Sequence, residues 1–307
     1  EKLDTDAPYR VPFAAQFGPD YRFAPTDATG PAGEVGGRWA VRFQNEGTTT
    51  EAIGQFEQAG EQLTGSFLTP TGDYRFLAGR VAGDSLHLSA FDGNHLYVFA
   101  AQVRGDSLRG VHHSGLTGYR TWTAHRDPDA TLPDADQLTY LKEGYERVAF
   151  ELPSVRGGTL SPDGDAYAGK VRIVQIFGTW CPNCMDETAF LAPWHRQNRD
   201  RGVEVIGVAF ERKDDFDYAK KRIQRVVDRY DVGYDFAFAG NTSEETRAAV
   251  FPALNRVMSF PTTIFIDKAG RVRRVHTGFS GPATGAAYDD FVAEFDATVD
   301  ELLAEEG

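Results

Sequence analysis

The only two cysteines of this 307-residue chain, Cys181 and Cys184, are spaced Cys-x-x-Cys. They follow the apolar run Val171–Phe177, which is typical of a buried strand, and they precede a stretch with helical spacing. A sulfur at the start of a helix faces free backbone N–H groups and the positive end of the helix dipole, which both favour a thiolate. Pro182 suits the first helical position, where no N–H is needed. The pattern therefore predicts thiol–disulfide exchange, in which Cys181 attacks and Cys184, about one turn later, resolves the mixed disulfide.

Two other uses of a cysteine pair are a zinc half-site and an inert disulfide. A zinc site needs two further ligands, and the chain has no second cysteine pair. His112 and His113 could supply nitrogen, but they fall in a separate β-rich region, where we expect them on a strand surface. We therefore expect no metal, and no cofactor other than the redox-active cysteine pair.

The composition excludes several classes of protein. An apolar content of 41% and a charged content of 25% are typical of a soluble globular chain. The net charge of −13 argues against nucleic acid as a partner. No apolar run approaches the roughly 20 residues that span a bilayer. We expect an exported protein, periplasmic or otherwise outside the cytoplasm, that can be membrane-anchored through a removed N-terminal signal or lipid anchor.

The length suggests about two domains, and the composition changes along the chain accordingly. Residues 1–35 are predicted to form an extended arm with aromatic anchors, residues 36–126 a β-rich domain, and residues 127–147 a linker with a short helix near 135–145. Residues 148–307 alternate strand and helix patterns. The aromatic anchors of the arm are Tyr9, Phe13, Phe17, Tyr21 and Phe23.

The β-rich region carries a weak internal repeat. A Gly-acidic pair followed by a polar residue and Leu begins at Gly60, Gly83 and Gly105, a spacing of about 22 residues that suits one hairpin per copy. A further turn is predicted at 91–94. These features predict an all-β antiparallel barrel or sandwich of about eight strands. Its aromatic residues could line a pocket, although a packed core is favoured on composition; they are Phe76, Phe91, Tyr97 and Phe99.

The C-terminal region has the signals of a mixed α/β domain. A second buried strand is predicted at 203–210, a helix with apolar positions from Ala219 to Tyr230, and a helix start at 242–245. A hairpin is predicted from 262–267 and 272–276. A final amphipathic helix has Phe291, Phe295, Val299 and Leu302 on one face.

Two motifs in this region carry a family resemblance. Trp180-Cys181-Pro182-Asn183-Cys184 and the downstream segment Phe260-Pro261-Thr262-Thr263-Ile264-Phe265-Ile266-Asp267 resemble the TlpA/ResA branch of thioredoxin-like oxidoreductases. The resemblance covers about residues 148–307 and implies an α/β thioredoxin-like fold. The N-terminal half resembles, more weakly, the β-rich extensions of some bacterial members.

The resemblance implies roles for residues around the cysteines. Pro261 matches the family's cis-proline, whose loop would present the backbone of Phe260 to an extended substrate. Trp180 would pack beside the site and restrict access to Cys181, although it could also be plain core. Pro182 and Asn183 would shape the first turn of the helix.

Proton transfer is expected to differ from that of classical thioredoxin. Gln175, six residues before Cys181, stands where thioredoxin has a buried acid, and an amide cannot titrate. The TlpA/ResA branch commonly has an amide at this position. Glu187 matches an acidic residue near the cysteines of the cytochrome-c-maturation members and could take the proton of Cys184. The alternative for Glu187 is a carboxylate that stabilises the helix start.

The leading functional hypothesis is an enzyme, a protein thiol–disulfide oxidoreductase acting outside the cytoplasm. It would reduce disulfides in partner proteins, for cytochrome c maturation or redox homeostasis, and would be recharged by an upstream electron donor protein. A disulfide-forming oxidase has the same pair with a different potential. A peroxiredoxin is disfavoured because position 178 is Gly, not Thr or Ser. A binding module, whose β domain captures a ligand or partner, is the alternative from another class.

Overall fold

The computed structural model of the protein describes residues 17–18, 22–23, 31–92 and 95–305. These residues form two compact units. The first comprises the described residues up to Leu132 together with Ser280–Tyr288, and the second comprises Pro133–Phe279 together with the chain from Asp289 onward. The first unit thus includes a segment from within the predicted domain 148–307. Most of the predicted N-terminal arm and part of the predicted turn at 91–94 lie outside the described residues.

The first unit is an eight-stranded antiparallel barrel. The strands pair in the order β2-β1-β9-β8-β7-β6-β5-β3, and β2 also pairs with β3, which closes the sheet. Closure leaves no free edge among these eight strands. The short β4 pairs with β3 outside this ring. The strands are β1 (Gly37–Asn45), β2 (Thr48–Ala59), β3 (Gln62–Thr69), β4 (Gly72–Asp73), β5 (Leu77–Ala82), β6 (Ser85–Phe91), β7 (Leu96–Arg104), β8 (Ser107–Ser114) and β9 (Gly118–Arg126).

The repeated Gly-acidic pairs are the two-residue turns of three hairpins. They join β2 to β3, β5 to β6 and β7 to β8, with Ala59 opposite Gln62 in the first case. The glycines Gly60, Gly83 and Gly105 have φ of 61°, 57° and 56°. Glycine suits the first position of such a two-residue hairpin, because it adopts positive φ without the steric cost that a Cβ brings. The hairpin prediction is therefore confirmed, and a barrel is the form that the antiparallel sheet takes.

The barrel interior is filled by aromatic side chains. Phe43, Phe67 and Phe99 are fully buried, and the rings of Phe67 and Phe99 lie 4.6 Å apart. Tyr97 packs against this core, whereas Phe76 and Phe91 are exposed.

The expectation of a surface position was wrong for His112. Its side chain is 1% exposed, because strand alternation directs it inward, while His113 points outward. The ring stacks on Phe99 with centroids 4.3 Å apart, and neither ring nitrogen has a hydrogen-bond partner among the described residues. Burial lowers the pKa of His112 to about 3. The imidazole is therefore neutral inside the barrel.

The second unit is built on a five-stranded mixed sheet in the order β14-β13-β12-β15-β16. Strands β12, β13 and β14 are parallel, and β15 and β16 are antiparallel to their neighbours. None of the helices that the structure describes has the length and apolar character needed to cross a membrane. The elements are β10 (Leu152–Pro153), β11 (Thr159–Leu160), β12 (Val171–Phe177), α1 (Pro182–Asn198), β13 (Val203–Glu211), α2 (Phe216–Tyr230), β14 (Asp235–Asn241), α3 (Glu244–Val250), β15 (Thr262–Ile266), β16 (Val272–Thr277) and α4 (Ala286–Ala304).

Strand alternation separates the two faces of this sheet. On one face Val174 and Ile176 join a core with residues of the 148–160 and 250–257 segments. Gln175 lies between them in sequence and so points to the opposite face, where its side chain meets α1. The helices α1 and α4 pack together there, with the rings of Phe190 and Phe295 5.2 Å apart. The face of the sheet that α1 and α4 cover therefore holds the buried side chain of Gln175.

The predicted helix near 135–145 was wrong beyond its first residues. A single 3-10 turn spans Ala135–Gln137, with the side chain of Asp134 accepting from the backbone of Asp136. The backbone that follows bonds to a distant loop instead of to itself, as Tyr140 N–H donates to the side chain of Asn255 at 2.9 Å. A backbone group that is paired across the fold cannot also close a helical turn.

Candidate active site at the cysteine pair

The two cysteines lie at the start of α1 and are joined by a disulfide bond, with Cα atoms 5.3 Å apart. Cys181 is the N-cap residue, and its Sγ accepts a hydrogen bond from the N–H of Cys184 at 3.2 Å. Pro182 is the first helical residue, and Asn183, in the same turn, is buried. Cys181 is 5% exposed and Cys184 fully buried, so Cys181 is the sulfur that a partner reaches first.

The loop before β15 faces the cysteine pair. The Phe260–Pro261 peptide bond is cis, as the resemblance implied. The carbonyl oxygen of Phe260 lies 3.5 Å from Cys181 Sγ. The ring of Trp180 meets that of Phe260 edge to face at 5.6 Å, and its Nε1 donates to the carbonyl of Phe210 at 3.0 Å. The structure therefore brings the three predicted substrate-contacting residues together beside Cys181.

A buried amide–carboxyl pair lies one helical turn inside the site. Gln175 Nε2 donates to a carboxyl oxygen of Glu187 at 2.8 Å. Thr188 links this pair to the cysteines, since its Oγ1 contacts the Gln175 side chain and donates to the Cys184 carbonyl at 2.8 Å. The hydroxyl of Thr263 donates to the other oxygen of Glu187 at 2.6 Å. Gln175 thus holds Glu187 in place rather than titrating itself.

Glu187 is the carboxyl group of this cluster. It is fully buried, and burial raises its pKa to about 7, although the hydrogen bonds from Thr263 and Gln175 and the nearby His276 act in the opposite direction. Three residues of helix separate it from Cys184, an axial rise of about 4.5 Å. A carboxyl that is half ionised near neutral pH is suited to accept and return a proton.

Several residues of the site were missed at the level of sequence. Thr188 lies four residues after Cys184, so helical spacing alone would have placed it on the same face. Thr263 lies in the strand that follows Pro261, two residues after it, so its closeness to the proline loop could also have been predicted from the sequence. Glu211 is buried beside Thr179 and carried no signal, because an acid at the end of a strand is usually solvated.

A disulfide at a helix N-terminus that faces a cis-proline loop on a five-stranded mixed sheet defines a thioredoxin-like protein. The Redoxin family model matches residues 142–290. ResA, a thiol-disulfide oxidoreductase of Halalkalibacterium halodurans, is 26% identical over 137 residues, which are 45% of this chain and 69% of ResA. DsbE, a thiol:disulfide interchange protein of Allochromatium vinosum, is 31% identical over 130 residues, which are 42% of this chain and 63% of DsbE.

The solved structure of a thioredoxin family thiol:disulfide interchange protein from Chlorobium tepidum covers 53% of this chain and 99% of its own, with 21% identity and a TM-score of 0.40. The sequence matches and the site agree on the class. The C-terminal part of this chain is a thioredoxin-like domain of the TlpA/ResA type, and the chain is a thiol-disulfide oxidoreductase.

Proposed function

We propose that this oxidoreductase works as a reductant of disulfides in partner proteins outside the cytoplasm, in cytochrome c maturation or redox homeostasis. One observation carries the direction of electron flow. The carbonyl oxygen of Phe260 lies 3.5 Å from Cys181 Sγ, so a partial negative charge faces the attacking sulfur. A carbonyl can accept a hydrogen bond from a thiol but repels a thiolate.

The balance of charges around the pair sets its potential. A disulfide is a strong oxidant when the reduced form of the pair is stabilised, for example as a thiolate. Here the helix N-terminus and one N–H favour the thiolate, while the Phe260 carbonyl opposes it. The reduced form is therefore only moderately stabilised, which favours giving electrons away.

The reaction begins from the reduced enzyme. The Cys181 thiolate attacks one sulfur of a substrate disulfide, and the other substrate sulfur leaves as a thiolate that takes up a proton. Cys184 then gives its proton to Glu187 and attacks Cys181 Sγ, which releases the second substrate thiolate. That thiolate takes up the second proton, and Glu187 passes on the proton that it accepted. The substrate gains two electrons and two protons, and the enzyme reaches the disulfide form seen in the structure. An upstream dithiol protein must return two electrons before the next cycle.

We propose an extracytoplasmic location for this cycle. An oxidising compartment supplies disulfide substrates, whereas cytosolic thiols are kept reduced. The chain has no cysteine besides the pair, so no spare thiol is exposed to oxidation there. Fractionation of the cells that make the native protein, with cytoplasmic and exported marker proteins, tests this location. Recovery with the cytoplasmic marker would contradict it.

The reduction potential of the Cys181–Cys184 pair tests the direction. The protein is equilibrated in thiol–disulfide buffers of defined potential and then alkylated, so that the reduced fraction is counted by mass. We expect a value near that of thioredoxin, ~−270 mV, whereas a value near ~−120 mV would identify a disulfide-forming oxidase. Cys184→Ser should trap partner proteins as mixed disulfides on Cys181. Cys181→Ser is the matched control and should trap none.

A further inference from the structure

The attacking cysteine sits at the end of a tight turn that is bound to β13. The N–H of Cys181 donates to the carbonyl of Gly178 at 3.1 Å, which closes a turn over residues 178–181. Gly178 lies so close to β13 and Trp180 that a Cβ there would collide with the indole of Trp180 and with the Phe210 carbonyl. The indole of Trp180 is bonded to that same carbonyl. The position of Cys181 therefore depends on what holds this turn.

A buried carboxylate at the last residue of β13 binds Thr179, the first central residue of the 178–181 turn. Glu211 is fully buried, and its two oxygens accept from the N–H and the hydroxyl of Thr179, both at 2.9 Å. Arg222 of α2 completes the cluster, since its Nε donates to Thr179 Oγ1 at 2.7 Å and lies 3.5 Å from a Glu211 oxygen. Both carboxylate oxygens thus accept hydrogen bonds from Thr179, which lies two residues before Cys181.

A buried carboxylate of this kind is costly, and its partners show what it is used for. Burial raises the pKa of Glu211, and the bonds from Thr179 and the charges of Arg222 and Arg212 oppose that rise. A group needed only to fill space at this strand end would be apolar, since burying a charge is unfavourable unless it is paired. The carboxylate instead binds the turn through two charge-assisted hydrogen bonds, which are about twice as strong as neutral ones.

We propose that Glu211, with Arg222, is the positioning residue for Cys181: it locks the 178–181 turn so that the sulfur meets both the Cys184 N–H and an incoming disulfide. The residue acts through Thr179 and does not touch the substrate. Because α2 supplies Arg222, the reactivity of Cys181 is coupled to the packing of that helix. The proposal concerns the attacking thiol in either direction of electron flow.

The test measures Cys181 alone, in a Cys184→Ser background where it is the only thiol. Its alkylation rate by iodoacetamide is followed against pH, and kcat/KM for insulin disulfides is measured in the otherwise native enzyme. Glu211→Gln exchanges one acceptor oxygen for a donor, and Thr179→Val removes the hydroxyl without changing the charge. We expect both to lower kcat/KM and the alkylation rate by about tenfold, the scale of one lost charge-assisted hydrogen bond. Thr179→Ser keeps both donors and should rescue the rate.

Glu204→Gln is the matched control, since Glu204 lies on the same strand and pairs with Lys170 and His195, away from the cysteines. It should change stability without changing Cys181. If Thr179→Val and Glu211→Gln keep wild-type alkylation profiles and kcat/KM while only their melting temperatures fall, Glu211 is merely structural and the proposal is wrong. Should Glu211→Gln fail to fold, the Val and Ser variants of Thr179 decide alone. If the proposed direction of electron flow is wrong, the measured potential of the cysteine pair will show it, and the comparison of these variants will be unaffected.

Discussion

Replacing the buried Glu187 by Gln should remove a pH dependence of stability that the native enzyme carries. In the fold the carboxyl is fully buried and accepts hydrogen bonds from Gln175 and Thr263. A Gln side chain has nearly the same shape. Its oxygen can accept from Gln175, and its NH₂ can donate to the Thr263 hydroxyl, which also accepts hydrogen bonds. The substitution therefore removes the titration while keeping the packing.

The size of the effect follows from the pKa of Glu187. Burial raises it from 4.5 to about 7, so the folded protein holds this proton more tightly than the unfolded chain. Stability from this group is complete below pH 4.5 and is lost as pH rises through 7. At about 1.4 kcal/mol per pKa unit, the total is about 3 kcal/mol, of which about 2.5 kcal/mol falls between pH 5 and pH 8. Glu187→Gln should show none of this loss.

Hydrogen exchange of the β12 amides in the oxidised protein provides the assay, because it reports the opening of the second unit by itself. Exchange rates at pH 5 and pH 8, corrected for intrinsic rates, give the opening free energy of wild type and Glu187→Gln. We expect the difference between the two proteins to change by about 2.5 kcal/mol over this range. Parallel pH profiles, within about 0.5 kcal/mol, would refute the assignment of a shared proton to Glu187. The control Glu245→Gln, at an exposed carboxylate of α3, should keep the wild-type slope.

Three further outcomes are expected. Cys181→Ser should abolish insulin-disulfide reduction, and full retained activity, measured by turbidity, would contradict the attacking role. Glu187→Gln should slow release of substrate from the mixed disulfide more than its formation, which quenched-flow alkylation resolves. His112→Phe should remove an acid sensitivity of the barrel: the buried His112 has a pKa lowered to about 3, so its contribution is complete above pH 6.5 and is lost toward pH 3, by up to about 1.4 kcal/mol per pH unit. Exchange of barrel amides at pH 4 and pH 7 measures this, and an unchanged acid response in His112→Phe would contradict it.

Much of the second unit was predictable because its signals are local. The Cys-x-x-Cys spacing, the run Val171–Phe177 and the apolar face of the last helix each lie within one element. Their periods report strand or helix directly. The turn glycines of the barrel are equally local, since positive φ is a property of one residue.

The missed features depend on partners distant in the chain. The 135–145 segment has helical spacing, but Asn255 takes the backbone N–H of Tyr140. His112 is polar, but barrel closure turns its alternate position inward. Glu211 has no neighbour in sequence that explains its burial, and its partner Thr179 is 32 residues away.

Short stretches of the sequence determine the class of chemistry of this protein. They supply two thiols one helical turn apart, a proline loop and an amide at the position where thioredoxin has an acid. These assign an oxidoreductase because thiolate chemistry needs only those groups and a helix start. Packing settles how the groups behave. Burial raises the pKa of Glu187 to about 7. The carbonyl of Phe260 faces Cys181 Sγ and destabilises its thiolate. Desolvation and electrostatic fields are properties of the assembled fold, since they depend on which distant residues exclude water.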